Sequence, residues 1–179
     1  AELGPKEEWE EPSKEMDGRL GVYTRVGFSL EQRFKMQVFY LNSLADHNKT
    51  VRDSDWEYSW QTEFTNVSLQ WTPFEHMTWL AQKLWGNTWM GRRVAKGVDN
   101  DFDAWYVLGS EVLGSHRLSL RYYVFRVEDR DKLQDNNRSQ GTAVTIAYLF
   151  SLDEAQVIVA EYLTIDSSRK GNEGYPASA

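Results

Sequence analysis

Arg25, Arg33, Lys35, Arg117, Arg121 and Glu111 are the residues whose type and spacing could do chemistry in this chain. The first three lie in two neighbouring segments of alternating residues, where Arg19 is expected to share their face, and Arg117 and Arg121 stand four apart in a third. In an extended strand, residues two apart point the same way, so each set shares one face. Guanidinium and ammonium groups gathered on a face concentrate anions. The competing reading is a structural network, with Glu63, Glu111 and Glu161 on the same face answering the cations. Cations outnumber carboxylates there, which tips the expectation toward anions. Catalysis has less support. Ser115, His116 and Ser119 are close in sequence, but His116 falls in a short turn with no carboxylate placed beside it. His47, His76 and His116 lack helical metal-ligand spacing, and the loop carboxylates Asp46, Asp53, Asp55, Asp99, Asp101, Asp129 and Asp131 do not match a calcium loop. No catalytic residue, metal or cofactor is expected.

The elements that must position these residues are strands. Asp103 to Glu128 reads as a hairpin: two alternating runs around Gly114-Ser115-His116. Leu118, Leu120, Tyr122 and Val124 share one face of the second run, and Arg117, Ser119, Arg121 and Tyr123 the other. The same alternation predicts strands near 19–28 and 33–42, with Phe34, Met36, Val38 and Tyr40 opposite Arg33, Lys35 and Gln37. A third strand is expected near 57–72. There Trp60, Thr62 and Phe64 have one parity and Val67, Leu69 and Trp71 the other, a change that a β-bulge would accommodate. Further strands are expected at 77–89, 141–150 and 156–165, the last apolar on both faces except at Glu161. Segments 43–55, 90–103 and 129–140 are loop by composition.

The result is eight antiparallel strands in four hairpins, with short turns at one end and long polar loops at the other. That asymmetry is the pattern of an up-and-down transmembrane β-barrel. Residues 1–18 form an acidic loop or tail, 19–166 the barrel or part of a larger one, and 167–179 a polar tail or loop. Aromatic residues cluster toward both strand ends. Trp60, Trp85 and Trp105 lie on the long-loop side and Trp71 and Phe150 on the short-turn side, where interface belts are expected.

Composition agrees with this reading. The 8 Trp, 9 Tyr and 8 Phe against 4 Pro favour strands. A net charge of −7 without a basic run excludes nucleic acid as an expected partner. A mean hydropathy of −0.62 suits a soluble protein, but also a barrel in which only alternate residues meet lipid. No run approaches the roughly 20 apolar residues of a membrane helix. There is no Cys, so disulfides are impossible. The chain begins Ala1-Glu2-Leu3-Gly4 without a signal peptide, as a mature form, a fragment or a cytoplasmic protein would.

In strand style the chain resembles bacterial porin-like outer-membrane proteins, most nearly the phosphate-selective porin-like group. The segments that carry the resemblance are Trp60-Gln-Thr-Glu-Phe with Ser68-Leu-Gln-Trp-Thr-Pro73, Phe102-Asp-Ala-Trp-Tyr106, His116-Arg-Leu-Ser-Leu-Arg-Tyr122, Ala147-Tyr-Leu-Phe150 and Ala160-Glu-Tyr-Leu163. It spans about 19–169. The resemblance implies a bacterial outer-membrane channel for small, often anionic, solutes. Its partners would be membrane lipid, lipopolysaccharide, the solutes and further copies in a homo-oligomer. Two features depart from the family. The first and last strands would place both chain ends on the long-loop side, and the chain finishes without a terminal aromatic strand, which together suggest part of a larger barrel. Two other readings stay open: a soluble eight-stranded barrel or sandwich that binds a small ligand or sugar, and a barrel enzyme acting on lipid.

Overall fold

The computed structural model describes residues 19–47, 59–92, 96–131, 137–153 and 155–169. They form one antiparallel sheet of eight strands, with no helix among them. The strands are β1 (Val22–Leu30), β2 (Phe34–Asn42), β3 (Trp60–Phe74), β4 (Met77–Arg92), β5 (Lys96–Leu113), β6 (His116–Asp129), β7 (Ser139–Ser151) and β8 (Val157–Arg169). Their spatial order is their chain order, so the topology is up-and-down throughout. In the ladder as paired, β1 stands beside β2 at one end and β8 beside β7 at the other.

The short connections follow turn chemistry. Leu113 pairs with His116, leaving a two-residue loop in which Gly114 has φ +61°. A positive φ at the first loop position is the type II′ requirement that glycine meets without strain. Between β1 and β2, Glu31 and Gln32 both have positive φ (46° and 56°), and the Arg33 amide donates to the Leu30 carbonyl at 3.0 Å. That is the type I′ pattern, built here from two residues with Cβ atoms.

Several expected boundaries move. Residues 90–103 do not form one loop. β4 continues to Arg92 and β5 begins at Lys96, so Asp99, Asp101 and Asp103 are strand residues opposite Trp89, Asn87 and Trp85. Arg130 and Lys83 answer Asp101 and Asp103, whereas Asp99 is buried, its amide donating to the Asp131 carboxylate at 3.4 Å and its carbonyl accepting from the Arg130 amide at 2.7 Å. β8 also runs to Arg169, past the boundary expected at 166. Residues 1–18, with the acidic segment expected there, and Asp53, Asp55 and 170–179 lie outside the described residues.

β3 carries no bulge where the parity changes. Its register against β4 is continuous from Trp60 to Trp71 and shifts only between Trp71 and Phe74. The sheet itself exchanges its apolar side part-way along its strands. Paired residues share a face, so the register defines two faces, called here the Leu118 face and the Arg121 face. Next to the short turns the Leu118 face is apolar. One row reads Leu30, Phe34, Trp71, Trp79, Gly109, Leu120, Ile146 and Tyr162. Toward the long loops the same face turns polar, in a row of Asn42, Glu63, Asn87, Asp101 and Glu128. Behind that polar row the Arg121 face becomes apolar, with Tyr23, Leu41, Phe64, Phe102 and Val127. Phe64 and Val67 therefore have opposite parity because each points to the side that is apolar at its own level.

Among the described residues no hydrophobic core lies behind either face. Ala45 is the one buried hydrophobic residue among those described, while Phe28, Met36, Trp71, Trp79, Leu120, Ile146 and Tyr162 are all exposed. Burying a large apolar side chain is worth about 1.5–3 kcal/mol, so covering these side chains would stabilise the sheet. The sheet is held by its backbone ladder and by cross-strand side-chain pairs.

Candidate functional site

The candidate site is the Arg121 face near the short turns. Arg25 stands opposite Phe39, Lys35 opposite Ser29 and Gln70, Arg117 opposite Val112 and Leu149, and Arg121 opposite Leu108 and Thr145. Arg33, in the turn before β2, receives the Thr72 amide on its carbonyl at 2.7 Å. Between these cations Gln37, Ser68 and Gln82 form one row and Ser110 and Ser119 share a 2.9 Å hydroxyl hydrogen bond, while Leu80 and Leu108 stand in the row that joins Lys35 and Gln70 to Arg121. Arg121 donates to the Thr145 hydroxyl at 3.2 Å, and Thr145 is buried.

Two of the three carboxylates expected on this face are elsewhere. Glu111 pairs with Met77 and Leu118, and Glu63 with Asn42 and Asn87, so both belong to the Leu118 face. Glu161, opposite Ala147, does share the face of Arg121. Among the described residues none of Arg25, Arg33, Lys35, Arg117 and Arg121 forms an ion pair. Arg19, expected with them, does pair, with Asp46 at 3.0 Å, so the expected neutralisation is missing only at the other five cations. Sequence spacing misplaced Glu111 because β5 is apolar or acidic at both parities. Only the pairing of Glu111 with Leu118 assigns its side.

The ion pairs that do form lie on the Leu118 face or beyond it. Lys83 stands in a row with Val38, Val67, Trp105 and Val124, and its ammonium reaches Asp103, one step nearer the long loops, at 2.5 Å. A long stem along apolar surface with its charge carried to the polar edge is snorkelling. Arg126 pairs with Glu128 and Arg130 with Asp101 at the same polar end, and Arg19 with Asp46 at 3.0 Å before β1.

Four of the five expected interface aromatics, Trp71, Trp85, Trp105 and Phe150, share the Leu118 face. Trp60 does not: it pairs with Met90 on the other face. Missed in the sequence was a second aromatic group on the Arg121 face. Ring centroids of Tyr23 and Phe39 lie 6.2 Å apart, Phe39 and Phe64 5.6 Å, and Phe64 and Phe102 6.5 Å. The signal that could have found it is the parity change in β3.

The histidines serve packing. His116 stacks on Phe150 at 4.9 Å, and its Nδ1 shares a 2.7 Å hydrogen bond with the Tyr148 hydroxyl. His76 stacks on Phe74 at 5.7 Å, and His47 meets the edge of Trp89 at 5.3 Å. Among the described residues no group of three or more His, Asp or Glu side chains could hold a metal. Comparison with protein-family models, with curated proteins and with solved structures finds no match to this chain.

Proposed function

We propose that this sheet is the wall, or part of the wall, of a porin-like bacterial outer-membrane β-barrel that passes small solutes by passive diffusion, with anions favoured. The observation that carries the reading is the contrast between two sides of the same strands. Near the short turns the Leu118 face is an uncovered apolar band with Trp71, Trp79 and Phe150, broken by Glu111, while the Arg121 face at that level carries the cations, Ser68, Gln70, Gln82 and Ser110 among Leu80, Leu108, Leu149 and Leu163. Lipid would cover the first and water fill the second.

The slope of the band supports this assignment. On β1 the apolar run Val22–Leu30 is centred on Val26, whose row reaches Asp166 on β8; there the apolar run Ile158–Tyr162 is centred on Ala160. The band thus slips by about six residues over seven strand-to-strand steps. At about 3.3 Å per residue and 4.8 Å per step, the strands incline by about 30° to the band normal. Strands of membrane barrels tilt by roughly 35–45°. On β6 the run from His116 to Val124 covers about 27 Å of strand, or about 23 Å along the normal, against an apolar band of about 25 Å in such barrels. A soluble barrel would turn the Leu118 face inward and leave the cations on the outside.

Single cysteines test the assignment, since the chain has none of its own. With the protein refolded into phosphatidylcholine vesicles, cysteines at Gln37 and Ser119 are expected to react with a water-soluble maleimide. Those at Val38 and Leu120 are expected to be protected, and fluorophores there to be quenched by chain-labelled nitroxide lipid. Reversed labelling, or failure to float with vesicles, would reject the membrane reading.

A further inference from the structure

The aromatic group on the Arg121 face adjoins the first of the cations, and a further ring pair, Tyr123 and Phe125, stacks at 5.9 Å on the same face. Tyr23, Phe39 and Phe64 line a hollow of about 560 Å³ together with Arg25, Gln37 and Asn66, all residues of this one face. Phe102 extends the ring contacts beyond Phe64. The volume falls in the range of small-molecule sites. The rings are not folded into a core: Tyr23 is 73% exposed. Arg25 lies directly across the ladder from Phe39, and Arg25 forms no ion pair among the described residues. One wall of the hollow is thus aromatic, the next is an unneutralised guanidinium, and Gln37 and Asn66 supply amide donors and acceptors between them.

We propose that this hollow binds organic anions with an apolar, ring-sized body, the body against Tyr23, Phe39 and Phe64 and the anionic group on Arg25. The proposal rests on the Arg121 face being the solute-accessible side, and it names the solute class that this face selects. Inorganic anions meet the guanidinium but leave the rings wet. Neutral aromatic molecules cover the rings but leave the guanidinium unanswered. A molecule with both parts uses the whole hollow, since rings and cation each favour a ligand that complements them.

The probe is 1-naphthoate, its binding measured by equilibrium dialysis against the full chain in lipid nanodiscs, with empty nanodiscs subtracted. Saturable binding is expected, with acetate and 1-naphthalenemethanol each at least about tenfold weaker. Arg25→Gln is expected to weaken naphthoate about tenfold and to leave the neutral alcohol unchanged. Phe64→Ser is expected to weaken both. Naphthoate uptake no greater than by empty discs, or unchanged in both variants, would overturn the proposal. So would an equal loss of naphthoate and alcohol in Arg25→Gln, because the guanidinium would then act only through folding. Maleimide labelling at positions 37 and 38 is run on the same samples. Normal labelling with no naphthoate binding rejects the site alone, and reversed labelling rejects the membrane reading beneath it.

Discussion

The rings of Phe64 and Phe102 lie 6.5 Å apart across the full width of an intervening strand, over the bare backbone of Gly86. A Cβ on Gly86 would come 2.2 Å from the Glu63 carbonyl oxygen and 2.5 Å from the Phe64 Cβ. Neither of those atoms is the end of a flexible chain. Gly86→Ala therefore forces β3 and β4 apart. It is expected to cost about 1–3 kcal/mol, the range of steric insertion at a tight site. Urea titration of the lipid-refolded protein reads that loss. A change within about 0.5 kcal/mol would show that the close approach is not needed.

Gly114 sits in the opposite circumstance. Nothing lies within 4 Å of a Cβ placed there, and its φ is +61°. Gly114→Ala is expected to lose about 1 kcal/mol, all of it from backbone conformation. The β1–β2 turn gives the converse. Replacing Glu31-Gln32 by Asn-Gly, which accepts positive φ at both places, is expected to gain about 1 kcal/mol. Both changes are measured in the same urea titration.

Leu120 and Ser119 are neighbours in sequence on opposite faces. In a bilayer, Leu120→Arg is expected to destabilise by about 2–4 kcal/mol, because the guanidinium would meet lipid. Ser119→Arg adds a cation where cations already stand and is expected to cost under about 1 kcal/mol. Comparable losses at the two positions would contradict the assignment of faces.

Arg25→Glu combined with Arg121→Glu is expected to move the reversal potential in planar bilayers toward cation selectivity, by tens of millivolts under a tenfold salt gradient. Glu111→Gln, on the face of Leu118, is expected to leave it unchanged. If Glu111→Gln shifts selectivity as much as the double reversal, the basic face does not set it.

Period-two alternation in β2, β6 and β7 was enough to place strands and to put Arg117 and Arg121 opposite Leu118 and Leu120. The hairpin turns and the all-β architecture followed from the same residues. Local alternation says which residues of one strand share a side. It does not align one strand with the next, so Glu63, Glu111 and Trp60 acquired their faces only through the hydrogen-bond register. For the same reason β3 read as bulged. Its apolar residues change parity because the sheet, from β1 to β6, exchanges its apolar side between Val67 and Phe64, and that exchange exists only when the strands are laid side by side. Acidic residues 99–103 read as loop because strand propensity penalises charge. The long β4–β5 hairpin tolerates Asp101 and Asp103 because Arg130 and Lys83 answer them, and it buries Asp99 opposite Trp89. Which side chains alternate is local chemistry, written along the chain. Which side of the sheet they occupy, and whom they meet there, was decided by the pairing of strands distant in sequence.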